Sequence, residues 1–124
     1  MAFSGEIGDQ IRRKRLSMGL FQKDVARMIG VSEDCITYWE NKRSLPLIHH
    51  FPAIIKFLGF NPFKKDGDTL SIRIQNYRIE HGLSHKKMGR RLRVDGSTVA
   101  SWEKDTFSPN KSIQKLLLKI LSTA

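Results

Sequence analysis

Apolar residues in the first half of the chain recur every three or four positions, the spacing of one face of an α-helix. A first stripe ends before Gly19 and contains Ile7, Ile11, Lys14, Arg15 and Met18. A second, shorter stripe ends at Gly30, a residue type that accepts the positive φ found at many helix ends, and contains Val25, Ala26, Met28 and Ile29. The pattern therefore predicts two short helices separated by a turn.

Two further helices are predicted between Ser32 and Gly59. Ser32 is a favourable N-cap, and the inner face of the helix that follows it contains Cys35, Ile36, Trp39 and Glu40. Pro52 suits the first turn of the last helix and Gly59 suits its end. With a single turn at residues 47–50, the first half is predicted to contain four to five short helices.

The same pattern returns after a shift of 63 residues, without a gap. The aligned pairs include Ile11 with Ile74, Arg15 with Arg78, Trp39 with Trp102, Glu40 with Glu103, and Pro46 with Pro109. Because these residues keep one register, we interpret the chain as a tandem duplication. The segment TLSIRIQNY alternates like a strand when taken alone, but the repeat predicts that it is helical.

The repeat predicts an all-α protein of two domains, each with four to five short helices. The first domain is expected at residues 1–60 and the second at 69–124. Residues 61–68 are expected to be a linker because they contain Pro62, Gly67 and four charges. Asp68 or Thr69 is expected to cap the helix that follows.

The net charge of the chain indicates what kind of partner it binds. The chain of 124 residues has a formal net charge of +10, divided into +3 for residues 1–62 and +7 for residues 63–124. Such an excess favours an acidic partner, with nucleic acid ahead of an anionic membrane because no long basic amphipathic helix is present. No segment has the apolar length of a membrane span or the pattern of a signal peptide, and Cys35 is the only cysteine. We therefore expect a cytoplasmic protein.

The motifs of each repeat resemble a known family. Residues 11–46 read IRRKRLSMGLFQKDVARMIGVSEDCITYWENKRSLP, with an Arg, Gly-Leu, Gln, Ala, Gly-Val-Ser, Ile and Glu at the spacings of the phage-repressor-like (Cro/Xre-type, lambda-repressor-like) helix-turn-helix family. The second repeat is similar but has His85, Gly89 and Arg93 where the first has Gln, Ala and Gly. Arg93 must either adopt a strained φ or belong to a different turn.

This resemblance implies a sequence-specific protein that binds double-stranded DNA and regulates transcription, with the third helix of each repeat in the major groove. It also implies a cytoplasmic protein of bacterial or phage type that is associated with the nucleoid. The base-facing residues would be Glu33, Asp34, Thr37, Tyr38, Gly96, Ser97, Ala100 and Ser101. Phosphate contacts would come from Gln22, Lys23, Lys42, Arg43, His85, Lys86, Lys87, Arg90 and Lys104. The family also implies two structural ion pairs, Arg15 with Glu40 and Arg78 with Glu103.

The acidic residues at the start of the first repeat's third helix leave three interpretations open. Glu33 and Asp34 stabilise the helix N-terminus through its dipole, accept hydrogen bonds from cytosine N4, or mark a repeat that binds protein instead of DNA. The last interpretation makes the chain a protein-interaction module, either antitoxin-like or the partner of a regulator.

No pattern of catalytic or metal-binding residues is present. The histidines His49, His50, His81 and His85 offer no dependable ligand face, and no base is indicated beside Cys35. We therefore expect no enzyme activity, metal or cofactor. The last helix is apolar on more than one face, which leaves open a homodimer contact or ordinary core packing for Ile113, Leu116, Leu117, Leu118, Ile120 and Leu121.

Overall fold

The computed structural model describes residues 6–104 and 109–122. Within these residues it contains eight α-helices, one 3₁₀ turn at Ile48–His50 and no strand. The helices are α1 (Ile7–Ser17), α2 (Gln22–Ile29), α3 (Glu33–Glu40), α4 (Phe51–Leu58), α5 (Leu70–His81), α6 (His85–Leu92), α7 (Gly96–Glu103) and α8 (Lys111–Leu121). The all-α prediction is confirmed, and the alternating segment TLSIRIQNY is helical, as the repeat predicts.

The chain divides into two compact units, residues 1–62 and 63–124, here called unit 1 and unit 2. All four helices of unit 1 contribute to its buried apolar residues, which are Ile11, Val25, Ala26, Ile29, Ile36, Trp39, Ile54, Phe57 and Leu58. The core of unit 2 also draws on all four of its helices and contains Ile74, Tyr77, Leu83, Met88, Leu92, Val99, Trp102 and Leu117. Each unit therefore buries one tryptophan among its own helices.

Four of the eight helices begin at a polar side-chain cap. Backbone N–H groups donate to the side chains of Ser32, Thr69, Ser84 and Asn110 over distances of 3.4, 3.2, 3.1 and 2.9 Å. Helix α2 begins differently, because the N-cap is Phe21 and its backbone N–H donates to the Asp24 carboxylate at 2.8 Å. Each of these bonds satisfies an N–H group that a helix or its cap would otherwise leave without a partner.

Two of the described residues other than glycine have a left-handed φ: Lys42, two residues after α3, with 66°, and Arg93, at the end of α6. Gly30 and Gly59 close α2 and α4 with φ of 90° and 86°. Arg93 closes α6 in the same left-handed region, with φ of 60° and ψ of 41°. Of the two possibilities for Arg93, the structure has the strained φ and not a different turn. This φ is strained because a residue with a Cβ is disfavoured in the left-handed region.

Two apolar patterns are less buried than the sequence indicates. Met18 and Met28 are 47% and 55% exposed, so neither belongs to the inner stripe of its helix. On α8, five of the six apolar residues are buried in or packed against the core of unit 2, and Leu118 is exposed. A homodimer contact through α8 would need a large apolar surface, but α8 exposes only one large apolar side chain, Leu118.

Part of the segment predicted as a linker is attached to unit 2. The side-chain oxygen of Asn76 on α5 accepts from the backbone N–H of Lys65 at 2.8 Å, and its amide donates to the Lys65 carbonyl at 3.0 Å. A side chain that binds both backbone groups of one residue fixes that residue's position. Lys65 is thus fastened to the first helix of unit 2.

Candidate nucleic-acid interface

An arginine and a glutamate lock the third helix of unit 1 to its first helix. Arg15 on α1 donates twice to the Glu40 carboxylate, at 2.7 and 2.8 Å, and once to the carbonyl of Leu20 at 3.1 Å. The two side chains are only 12% and 5% exposed. A bidentate pair of this kind fixes geometry as well as charge, so it determines how α3 is held.

The pair also changes the protonation of its members. Burial by itself would raise the pKa of Glu40, but hydrogen bonds from Arg15 and Gln22, with the charges of Arg15 and Arg12, hold it below its ordinary value. The hydrogen bond to Glu40 raises the pKa of Arg15, against the opposing effect of burial. Both groups are therefore charged at neutral pH.

Unit 2 contains the same lock. Arg78 on α5 donates to both oxygens of Glu103, with Nη2 lying 2.9 Å from Oε1, and to the carbonyl of Leu83 at 3.0 Å. These side chains are 11% and 10% exposed. His85 Nε2 lies 3.1 Å from Oε1 of Glu103, which adds a contact from α6.

A hydrogen-bond chain extends the lock in unit 1 to the middle of α3. The Thr37 hydroxyl donates to the Gln22 side-chain oxygen at 2.7 Å, and the Gln22 amide donates to Glu40 at 3.1 Å. Ala100 holds the aligned position in unit 2 and has no hydroxyl. Gln22 and His85, both predicted to contact phosphate, thus use polar atoms to support the third helix of their own unit.

The predicted base-facing residues of unit 1 are largely uncovered. Glu33 and Asp34 are exposed, Tyr38 is 44% exposed, and Thr37 is half-buried. The side-chain cap of α3 is Ser32, and in the part of the chain that the structure describes neither acidic side chain has a hydrogen bond or ion pair. Glu33 and Asp34 therefore stabilise the N-terminus of α3 only through the helix dipole, and not through a side-chain hydrogen bond.

The corresponding residues of unit 2 have small side chains. Ser97 is exposed, whereas Ala100 and Ser101 are half-buried, and the Ser101 hydroxyl donates to the Ser97 carbonyl at 3.0 Å. Gly96 does not fit its predicted base-facing role, because a Cβ at this residue would lie against the backbone of Lys86. Its lack of a side chain allows α7 to begin close to α6.

Most of the predicted phosphate-contacting side chains lie on the surface. In unit 1 these are Lys23, Lys42 and Arg43, and in unit 2 they are Lys86, Lys87, Arg90 and Lys104. Lys42 is also held by Asp9 on α1, 3.1 Å away, in an ion pair that the sequence analysis missed. It missed Arg91 too, an exposed cation of α6 that donates to the Tyr77 hydroxyl at 3.1 Å.

The two helix pairs differ strongly in charge. Residues 22–41, which contain α2 and α3, have a formal net charge of −2, whereas the aligned residues 85–104, with α6 and α7, have +4. The excess of unit 2 comes chiefly from α6 and the turn after it, with Lys86, Lys87, Arg90, Arg91 and Arg93. Unit 2 therefore presents the more favourable surface to a polyanion.

The arrangement of α2, the turn at Gly30 and α3, with the start of α3 uncovered, defines a helix-turn-helix protein. Residues 11–64 match the helix-turn-helix family, and the predicted Cro/Xre-type resemblance is confirmed for this segment. No curated protein and no solved structure gives a significant match. The family match supports a DNA-binding role in the regulation of transcription.

Two other findings concern partners. No helix among the described residues has the length and apolar character to cross a membrane. The same residues contain no group of three or more His, Cys, Asp or Glu side chains placed to hold a metal ion. The rings of His49 and His50 lie with their centroids 3.9 Å apart and are tilted by 45°. Burial, together with the charge of His49, lowers the pKa of His50.

Proposed function

We propose that the protein binds double-stranded DNA sequence-specifically and regulates transcription, with the third helix of each unit docking in the major groove. One observation carries this proposal: both units lock the end of the third helix with a buried arginine-glutamate pair and leave residues near its start uncovered. A helix held rigidly at one end and uncovered at the other can enter the major groove of a duplex.

The electrostatics of unit 2 support the same proposal. Lys86, Lys87 and Arg90 are exposed on α6, the helix that crosses the DNA backbone in this class of protein. Cations at such positions neutralise phosphates and release the counterions condensed on DNA. The binding free energy should therefore depend strongly on salt concentration.

A salt titration with a random-sequence duplex tests the proposal. We expect binding at low salt, with log K falling against log salt by about 0.9 for each phosphate neutralised. Selection from a random duplex pool should then enrich a defined sequence. Failure to bind any duplex even at low salt would contradict the proposal.

A second experiment tests the groove. Guanine N7 lies in the major groove, so methylation of N7 within the selected site should interfere with binding. Methylation of adenine N3, which lies in the minor groove, is the matched control and should interfere less. Interference by the minor-groove modification alone would contradict docking of the third helices in the major groove.

A protein-interaction module is the second candidate function, and one observation favours it for unit 1. Of the nine large apolar side chains that are exposed among the described residues, eight lie in unit 1 and only Leu118 lies in unit 2. Phe21, Met28 and Tyr38 align with Ser84, Arg91 and Ser101. If unit 1 is a protein-interaction module, the variant F21S/M28R/Y38S should bind the selected duplex as tightly as the wild type does.

A further inference from the structure

We propose that the two units divide the recognition of DNA: unit 1 selects the base sequence, and unit 2 supplies affinity that is largely independent of sequence. This inference rests on the proposed function and specifies what each helix-turn-helix contributes. Its support is a comparison of aligned residues at the start of the third helix of each unit, α3 in unit 1 and α7 in unit 2.

Unit 2 has few side chains that distinguish one base from another. Gly96 and Ala100 have no polar side-chain group, and the hydroxyls of Ser97 and Ser101 are able to donate or to accept. Because a hydroxyl pairs with either kind of base edge, it discriminates weakly. The same unit has exposed Lys86 and Lys87 at the start of α6, so its contacts with DNA are mainly contacts with phosphate.

Unit 1 has the opposite character. Glu33 and Asp34 are exposed, and as carboxylates they only accept hydrogen bonds. In the major groove, cytosine N4 is a donor, whereas guanine O6 and N7 and thymine O4 are acceptors that repel a carboxylate. Adenine N6 is also a donor, but the acceptor N7 beside it makes adenine a less favourable partner than cytosine. The acidic pair therefore rewards cytosine and penalises guanine and thymine at the positions it meets, which is specificity by attraction and by repulsion.

The support beneath the third helix also differs between the units. Thr37, in the middle of α3, is bound to Gln22 of α2, which is bound in turn to Glu40. Ala100 interrupts this chain in unit 2. Base readout needs donors and acceptors held in position, whereas attraction to phosphate tolerates small displacements, so each unit has the support that its assigned role requires.

Charge separates the two roles further. The helix-turn-helix of unit 1, at −2, is repelled by phosphates, and that of unit 2, at +4, is attracted. Lys42 and Arg43, which follow α3, offset the charge of residues 22–41. On a sequence without the right bases, unit 1 therefore adds little to the affinity that unit 2 provides. Removal of the acidic charges should strengthen binding to random DNA while it weakens the preference for the selected site.

The first experiment uses E33Q/D34N in the full chain, which keeps the shape of both side chains and removes their charge. We expect random duplex to bind at least as tightly as to the wild type, and the ratio of selected to random affinity to fall by about 5- to 150-fold, the discrimination of one good base contact. Repeated selection from the random pool should lose cytosine at the positions concerned.

The second experiment uses K86Q/K87Q. Affinity should fall for selected and random duplex alike, the ratio should stay within about twofold, and the salt slope should drop by about 0.9 for each phosphate that the variant no longer neutralises. The variant K115Q/K119Q is the matched control, because it removes two exposed charges of unit 2 from α8, outside the helix-turn-helix. It should lower the affinity less.

The outcomes separate this inference from the proposed function. If E33Q/D34N keeps both the selected sequence and the affinity ratio, or if K86Q/K87Q lowers the ratio, the division of roles is wrong while DNA binding stands. If the wild-type chain binds no duplex at low salt, the proposed function and this inference both fail.

Discussion

The two units bring the first and third helices together in different ways. In unit 1, Gly8 of α1 lies against the carbonyl of Trp39, where an added Cβ would collide with backbone. Ser71 holds the aligned position of α5, is buried, and donates from its hydroxyl to the carbonyl of Glu103 at 2.6 Å. Direct helix contact in one unit is thus replaced by a hydrogen bond in the other.

The second helix shows the reverse relation. Ala26 of α2 is buried and has a Cβ, whereas the aligned residue of α6 is Gly89, whose added Cβ would meet the carbonyl of Val94. Unit 1 thus has a close approach that needs glycine between its first and third helices, and unit 2 has one between its second helix and the turn after it. The same buried arginine-glutamate lock is compatible with either packing.

The largest effect is expected from breaking the lock in unit 1. The substitution Arg15→Met leaves the Glu40 carboxylate buried without its cation and should cost about 3–5 kcal/mol of unfolding free energy. Denaturant unfolding followed by Trp39 fluorescence, in a Trp102→Phe background, measures the loss in unit 1. The double variant R15M/E40M should be more stable than R15M alone, and the opposite order would contradict this account of the buried charge.

The packing difference predicts a smaller effect. Gly8→Ala places a Cβ against the backbone of α3 and should destabilise unit 1 by about 1–3 kcal/mol, the usual cost of overpacking. Ser71→Ala is the matched change in unit 2 and should cost about 1 kcal/mol, because it removes one hydrogen bond without a collision. Equal costs from the two substitutions would contradict this difference in packing.

Acid should remove part of the stability that the Glu40 lock provides. The pKa of Glu40 is lower in the folded protein than its ordinary value of 4.5, so the stabilisation is complete above the unfolded value and is lost as the pH falls through the folded one. The stability gap between wild type and Glu40→Gln should therefore narrow as the pH falls below about 4.5. A gap that widens in acid would contradict the direction of this shift.

The smallest effect is expected at the two turns. Arg93→Gly should change the stability of unit 2 by no more than about 1 kcal/mol, in the stabilising direction, because glycine adopts a φ of 60° without strain. The reciprocal change Gly30→Arg should destabilise unit 1 by about 1–2 kcal/mol, since no atom lies within 4 Å of the added Cβ and only the backbone is strained. Thermal unfolding of both variants checks the two signs.

The sequence predicted the helices well because their signals are local or repeated. Ser32, Gly30 and Gly59 carry their own capping chemistry, and the register of 63 residues overrode the strand-like alternation before Tyr77. The pairing of Arg15 with Glu40 follows only from the family resemblance, because residues 25 positions apart carry no local signal of contact.

The remaining features depend on tertiary contacts that no local pattern encodes. The sequence indicated nothing of the contact between Gly8 and Trp39 or of the bond between Thr37 and Gln22, because each joins residues of different helices. The sequence also did not reveal that Gly96 faces α6, since a glycine at the start of a helix does not indicate which neighbouring helix it contacts. The exposure of Met28 shows a further limit, because helical spacing does not measure depth in a core.

The contact at Gly8 has a consequence for exchange of segments between the halves of the chain. A chimera that inserts the first helix of one half into the other would combine a serine hydroxyl with a position that has no room for it, or a glycine with a gap that nothing fills. Transplantation of a complete half preserves both partners. Recombination between the two halves, whether engineered or natural, should therefore be tolerated only when the crossover points lie outside the helices of each unit.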